Sequence, residues 1–480
     1  MEITKYHVIK VKINSFLFIV VMTSSLFAIK NVCAGEVRFS PSVNIKQSYT
    51  DNILLSPKGQ EQSELVTEIS PSFMLLMKGS HFNANVNYTM QNLLYKNESS
   101  RNQTYNQLMA SSTSEIMDDY FYFDVNANHN QQTINANRPI GTNNIAVTNN
   151  ISNVTSYTVA PYLRHSYTNV LDISARYSYS EVDYRQDDLT DVTQSGFNIG
   201  LNSPTNSLGV SWAMALLKQK SDFDTGKDSE FKRGSVQLGY RFSSRTHVYA
   251  TKGKDENTFS IANNQDISEP FWNVGVDWQP GSRDFLTLQY GERFFGHTTL
   301  FRWRHTARRL TLNANYEEEL STTALTLLQQ QQQLASASTQ LNQPIDTNNS
   351  INSQVFVRKL GTIGLTYTVS KTSLSLSYSN DKRIFQDTGD ITQTRVANLS
   401  VSLRSSPVLT YVFGTSWNNY YTASTDIKLF TTNINFAIQR QLAARMQGEL
   451  SLSHGIRRNT NAATDYDENI VSLGITKTFN

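Results

Sequence analysis

The sequence predicts an all-β fold: a transmembrane antiparallel up-and-down barrel of about 22 strands, within a range of roughly 18 to 22. Three observations carry that expectation. Apolar and polar residues alternate with period two through most of the chain. Short turns alternate with long polar loops. A leader at the N-terminus marks the chain for export.

The leader comes first. Lys5, Lys10 and Lys12 precede an apolar run from Ser15 to Ile29, and Val32-Cys33-Ala34 places small residues at the −3 and −1 positions of a cleavage site. Residues 1–34 therefore read as a secretory signal peptide, and 35–480 as a single barrel domain. The alternative, an uncleaved anchor, meets the objection that the run is short for a membrane span. A lipid anchor on Cys33 would need a better lead-in than Lys30-Asn31-Val32.

Composition agrees with export into an envelope. Charged residues are 17% of the chain, against about 25% in ordinary globular proteins. Aromatics reach 11%, with 23 Tyr and 24 Phe, which no disordered chain would carry. A mean hydropathy of −0.41 excludes a helical membrane protein. Lys5, Lys10, Lys12, Lys30 and Glu2 leave with the leader, so 38 basic and 39 acidic residues remain and the net charge falls from +2 to −1. The positive balance is thus no sign of nucleic-acid binding. The one cysteine leaves too, so stability cannot depend on disulfides.

The strands follow from the alternation. Leu171, Ile173, Ala175, Tyr177 and Tyr179 stand against Asp172, Ser174, Arg176 and Ser178. Trp272, Val274, Val276 and Trp278 stand against Asn273, Gly275 and Asp277; Phe430, Ile434, Phe436 and Ile438 face away from Asn433, Asn435 and Gln439. Each segment is about ten residues long, the reach of a tilted membrane strand, and aromatics at its ends fit interfacial girdles.

The connections come in two kinds. Short turns recur at Lys78–His81, Met117–Tyr120, Tyr167–Asn169, Ser203–Thr205, Ser243–Arg245, Pro280–Ser282, Ser370–Thr372 and Arg404–Pro407. Longer polar loops lie near 51–62, 92–104, 130–153, 180–191, 219–230, 253–269, 317–353, 381–391, 418–425 and 456–468. Short periplasmic turns and long outer loops are the pattern of outer-membrane barrels, with both termini on the short-turn side. The segments Thr246–Lys252 and Phe294–Arg309 are the weakest strands. A soluble propeller, the competing all-β fold, would show a blade-length repeat, and none is present. In lipid a sheet must close, because no water satisfies an open edge.

The loop 317–353 stands apart. It holds the run Gln329 to Gln333, and Ala324, Leu327, Leu328 and Leu334 could form the apolar side of a short helix. Such a helix could fold into the lumen, or the loop could stay in the medium. No room is left for a globular plug before the first strand, since Val37, Phe39, Val43 and Ile45 already alternate. The lumen is then open, or closed by its own loops or by packed side chains, with residues 317–353 the obvious candidate.

Candidate sites are few. The chain has no G-x-S-x-G, H-E-x-x-H, P-loop or C-x-x-C motif, and its 8 histidines are scattered; no catalytic, metal or cofactor site is expected. Glu181, Asp183, Asp187, Asp188 and Asp191 cluster in an expected outer loop, where cation bridging to lipopolysaccharide phosphates or plain solvation fits better than a calcium site. Arg302 and Arg304 share one strand face, with Phe301 and Trp303 on the other. If the aromatics meet lipid, the arginines form a basic cluster in the lumen near its periplasmic mouth, free to attract an anionic solute or polymer or laddered with acids such as Asp277 or Glu292. The last strand, IVSLGITKTFN, must pair with the first near Val37–Ile45. Gly474 and Phe479 fit a C-terminal signal for the outer-membrane assembly machinery, although Lys477 and Asn480 depart from it.

Four stretches add a resemblance. SPSVNIKQSYTDNILLSP (40–57), VTEISPSF (66–73), TVAPYLRHSYTN (158–169) and RRLTLNANYEEELSTT (308–323) resemble the outer-membrane proteins associated with PEP-CTERM/exosortase systems. That family implies a large barrel linked to exopolysaccharide production, with no catalytic residue to carry over. Tyr49, Thr50, Asp51 and Asn52 match its T-D-N turn. The expected function is therefore an outer-membrane barrel serving exopolysaccharide production or export, as conduit or scaffold. The expected partners are lipopolysaccharide, the assembly machinery, and exopolysaccharide or its export proteins. A general diffusion porin is the first alternative and a barrel enzyme acting on lipid or polymer the second.

Overall fold

The computed structural model describes residues 35–479, except 142, 169, 187–188, 205–207, 260–266, 337–352 and 461–463. The leader and its cleavage site lie outside the described residues. The strands are β1 (Glu36–Thr50), β2 (Glu64–Lys78), β3 (Phe82–Tyr95), β4 (Gln103–Met117), β5 (Phe121–Thr133), β6 (Ile151–Tyr167), β7 (Leu171–Tyr184), β8 (Val192–Asn202), β9 (Gly209–Phe223), β10 (Ser229–Ser243) and β11 (Thr246–Thr258). They continue as β12 (Ile267–Gly281), β13 (Asp284–Arg293), β14 (Gly296–Thr306), β15 (Leu310–Thr322), β16 (Val355–Val369), β17 (Thr372–Phe385), β18 (Ile391–Ser406), β19 (Leu409–Thr422), β20 (Ile427–Ala443), β21 (Met446–Asn459) and β22 (Tyr466–Thr478). One helix, α1 (Thr323–Ser336), follows β15. Every strand pairs antiparallel with its sequence neighbours, and β1 pairs with β22, closing a 22-stranded barrel.

The register turns the alternation of the sequence into two faces. Trp278, Leu286, Trp303, Ala314, Ile363 and Tyr378 sit side by side on consecutive strands and look outward. One residue over, His247, Asp277, Thr287, Arg302, Asn315, Thr362 and Ser379 form a row on the lumen face. The outward face is apolar and bare: Leu238 and Leu473 are each 62% exposed. In water so wide an apolar band would be a liability; in a bilayer it is the solvation shell. The protein is an outer-membrane β-barrel.

Strand length differs from the sequence expectation, whereas the weak strands are present. The strands run from 10 residues (β13) to 17 (β6), not about ten. The ladder continues above the membrane, where polar residues occupy both faces and the alternation fades. Most of the extra length is at the outer end, so Glu181 and Asp183 lie on β7 rather than in a loop. The weak segment after Phe294 is a real strand, β14, joined to β13 by a two-residue outer turn, Phe294-Phe295, completed by Gly296 at φ +108°. Only Gly adopts that conformation without strain.

The seam also sits higher than expected. β22 pairs with Ser42–Thr50 of β1, overlapping the expected Val37–Ile45 only at Ser42–Ile45. The ladder ends there because β22 ends; beyond it, the Phe479 N–H donates to the Pro41 carbonyl at 2.8 Å. At the outer end the T-D-N stretch bolts the seam. Thr50 Oγ1 donates to Glu468 at 3.0 Å, Asp51 accepts from the backbone (2.7 Å) and side-chain (2.6 Å) N–H groups of Asn469, and Asn52 Nδ2 donates to the Asp467 carbonyl at 3.0 Å.

Candidate functional site

The lumen has two unlike ends. Its outer end is filled. The helix α1 starts where β15 ends, with Thr322 Oγ1 accepting from the Leu325 N–H at 3.2 Å as an N-cap. Ala, Leu and Gln propagate a helix well. Leu327 and Leu328 pack against Val154, Val182 and Tyr184 of β6 and β7. Ala324 meets Val192 and Phe223, and Leu325 meets Phe231, Phe259 and Val355. Gln331, only 2% exposed, accepts a hydrogen bond from Ser156 on β6. The helix thus crosses the mouth from β15 to the far wall, where it also touches β4 and β5. Of the sequence's two expectations for this loop, the helix inside the lumen is the one observed. The side chain of Leu334 lies outside the described residues.

A second insert fills the other side, and sequence reasoning missed it. The segment 134–150 between β5 and β6 carries only scattered apolar residues, which read as a polar loop. Ile145 enters a cluster with Ile53, Val66, Leu93, Tyr95 and Ile470. Ala146 packs on Leu55 and Tyr466, and Ala136 on Tyr420 and Leu429. Its backbone is held as well: the Ile145 carbonyl accepts from Tyr95 Oη (2.9 Å), the Ala136 carbonyl from the Arg457 guanidinium (2.9 Å), and the Ile140 carbonyl from Tyr466 Oη (2.6 Å). Such bonds satisfy backbone groups taken out of water. Gln131 and Gln132, neighbours at the outer end of β5, are both 0% exposed.

A charged ladder braces the wall below α1. Asp255, 1% exposed, receives Arg233 Nε (2.9 Å) and Arg293 Nε (2.9 Å). Asp381 receives Arg358 at 3.1 Å and Arg383 at 3.1 Å. Each buried carboxylate thus holds two guanidinium groups.

The periplasmic end of the lumen carries solvent-exposed charged side chains. Arg302 and Arg304 both face it and are exposed. Arg302 lies 3.2 Å from Glu317; Arg304 has no hydrogen-bond or ion-pair partner among the described residues. The acids named from sequence do not serve: Asp277 is taken by His247 (3.3 Å) and Thr287 (2.8 Å), and Glu292 pairs in register with Trp272 on the outward face. A pattern sequence reasoning missed lies on β5–β7. Tyr122 and Tyr162 stack at 5.0 Å, with Arg164 over Tyr122 (5.4 Å) and Arg176 over Tyr162 (4.8 Å). Stacking fixes a guanidinium while leaving its in-plane donors free for a ligand. Arg176 spends one on Asp124 at 2.8 Å; Arg164 has no carboxylate partner among the described residues. The signal was tyrosine at lumen positions, out of phase with the lipid-facing aromatics.

The remaining expected sites do not converge. Glu181 accepts from Tyr157, and Asp191 accepts from the Tyr184 N–H at 2.8 Å; Asp187 and Asp188 lie outside the described residues. Among the described residues no group of three or more His, Cys, Asp or Glu could hold a metal. Gly474 faces the lumen opposite Lys46, and Phe479 is 48% exposed at the end of the seam.

Comparison with known proteins gives the fold alone. No family model matches the chain, and no curated protein does. Among solved structures it is similar to the FrpB iron transporter from Neisseria meningitidis (F5-1 variant, apoprotein form), with a TM-score of 0.52, 11% identity, and coverage of 92% of this chain and 81% of that one. The F3-3 variant of the same transporter gives 0.51, 10%, 92% and 81%. At that identity the likeness speaks for a large outer-membrane barrel and not for an activity.

Proposed function

We propose that this barrel serves exopolysaccharide production or export across the outer membrane, as a conduit that is shut at rest from the outside. The observation that carries the reading is the division of the lumen: a self-made stopper at the outer mouth above a periplasmic vestibule lined by exposed charged side chains. A general diffusion porin has no use for a helix seated across its mouth. A polymer conduit does, because a wide open barrel would leak small solutes whenever no polymer filled it. Neutral Ser, Thr, Asn and Gln groups on the lumen wall, with Arg164, Arg176, Arg302 and Arg304 below them, suit a hydroxyl-rich, acid-bearing chain. The four resembling stretches point the same way, and the T-D-N stretch among them has a structural duty at the seam.

The rest of the reading follows. The chain is exported through a leader cleaved after Ala34. Its last strand, with Gly474 and Phe479, is read by the assembly machinery. It is not an enzyme. The test is genetic. Cells lacking the gene should lose surface polysaccharide and accumulate polymer in the periplasm, and α1-deleted protein should restore export while sensitising the cells to large antibiotics. Unchanged surface polysaccharide in the null strain would refute the proposal.

A further inference from the structure

The outer wall of β8–β11 carries a feature that the lumen does not explain. Gly234, on the outward face, leaves a groove of about 490 Å³ walled by Ile199, Leu201, Met214, Leu216 and Val236. It is a dent in the lipid-facing surface, almost wholly apolar. Lys252 and Lys254 stand at its upper edge. Above it, at the outer end of the same strands, lie Lys218, Lys220 and Lys232.

The lysines are arranged at a cost. Lys218 and Lys232 are directly opposite each other on β9 and β10, a like-charge pairing that destabilises a sheet. Both lean on one carboxylate, Glu230, at 3.0 and 2.8 Å. Lys254 bonds Glu256 (2.8 Å) and Lys220 bonds Asp222, while Lys252 has no partner among the described residues. Five ammonium groups thus share three bonded carboxylates, with Asp228 also near Lys220. Lys252 is level with Trp272, its register partner on β12, which marks the membrane–water boundary. Cations at that boundary over an apolar dent fit a lipid with a phosphorylated headgroup, its phosphates on the lysines and an acyl chain in the groove.

We propose that the outward face of β8–β11 is a binding site for the phosphorylated glucosamine lipid of the outer leaflet, lipid A. The strand ends that bear the lysines point to the cell exterior, and that leaflet is where such a lipid resides. The site relocates the lipopolysaccharide contact from the acids of β7 to the lysines of β9–β11. It is independent of the lumen and of what passes through it.

The test uses the full barrel in neutral-lipid nanodiscs, with bound lipid counted by native mass spectrometry. Bisphosphorylated lipid A should bind in preference to its dephosphorylated form. An interfacial lysine contributes about fivefold in affinity, so Lys252→Gln with Lys254→Gln should weaken binding about 30-fold. Gly234→Leu, which fills the groove, should weaken it without changing surface charge. Lys359→Gln, on the outward face of β16 beside Glu318, should leave it unchanged. Variants are compared only when their folded form still shifts on heating in gels. Equal binding of phosphorylated and dephosphorylated lipid A, equal binding of phosphatidylglycerol, or no effect of the double variant would each overturn the assignment.

Discussion

Removing two leucines should open the barrel. Leu327 and Leu328 are 3% and 8% exposed and seat α1 against β6 and β7. Leu327→Ala with Leu328→Ala keeps helix propensity while deleting the packing. Each buried Leu→Ala change costs about 2–5 kcal/mol, so the pair removes at least about 4 kcal/mol from the docked state. That is about a thousandfold in the ratio of docked to undocked helix. The barrel wall is untouched, so the loss falls on docking rather than on strand pairing. In planar bilayers the unmodified chain should be nearly silent, and the double variant should show large steps that flicker as the helix returns. A variant as silent as the parent, with an intact heat-shifted band, would refute the claim that α1 closes the mouth.

Other expectations follow from single contacts. Asp51→Ala removes two hydrogen bonds across the seam, so the folded band should be lost at a lower temperature in semi-native gels. Deleting Leu473 to Asn480 removes six of the nine β22 residues that pair with β1, and no protease-resistant product should reach the outer membrane. Asp255→Asn strands Arg233 and Arg293 with half their bonding, and urea titration of the folded barrel should show a loss of up to about 3–5 kcal/mol. Gly275→Val would drive a Cβ to within 2.6 Å of the Tyr249 ring, costing about 1–3 kcal/mol, which Tyr249→Ala should partly restore.

Much of this architecture was legible because the two faces of a strand meet different solvents. Val471, Leu473 and Ile475 against Ser472, Gly474 and Thr476 sufficed to read β22, and the short turns set which end is periplasmic. The same logic fails where the solvents become alike. Above the membrane both faces of a strand are polar, so β7, β11 and β15 outran their expected ends. The Phe294-Phe295 turn was obscured because two aromatics read as membrane strand. Contacts set by fold-back were out of reach. Nothing local says that Ile145 will meet Ile53, or that Arg302 will face Glu317 rather than Glu292. The apolar positions of α1 were readable, since helical spacing survives in any setting, but their burial depends on walls far away in sequence.

The most direct test asks from which side the lumen can be entered. Cysteine is absent after residue 33, so single thiols can be placed at Arg304 in the vestibule and at Gln331 on the buried side of the stopper helix itself. A membrane-impermeant maleimide is added to intact cells, then to cells whose outer membrane has been permeabilised. Arg304→Cys should be unlabelled in the first case and fully labelled in the second, with Gln331→Cys protected in both. Rapid labelling of Arg304→Cys from outside intact cells would mean an open pore and would contradict the account.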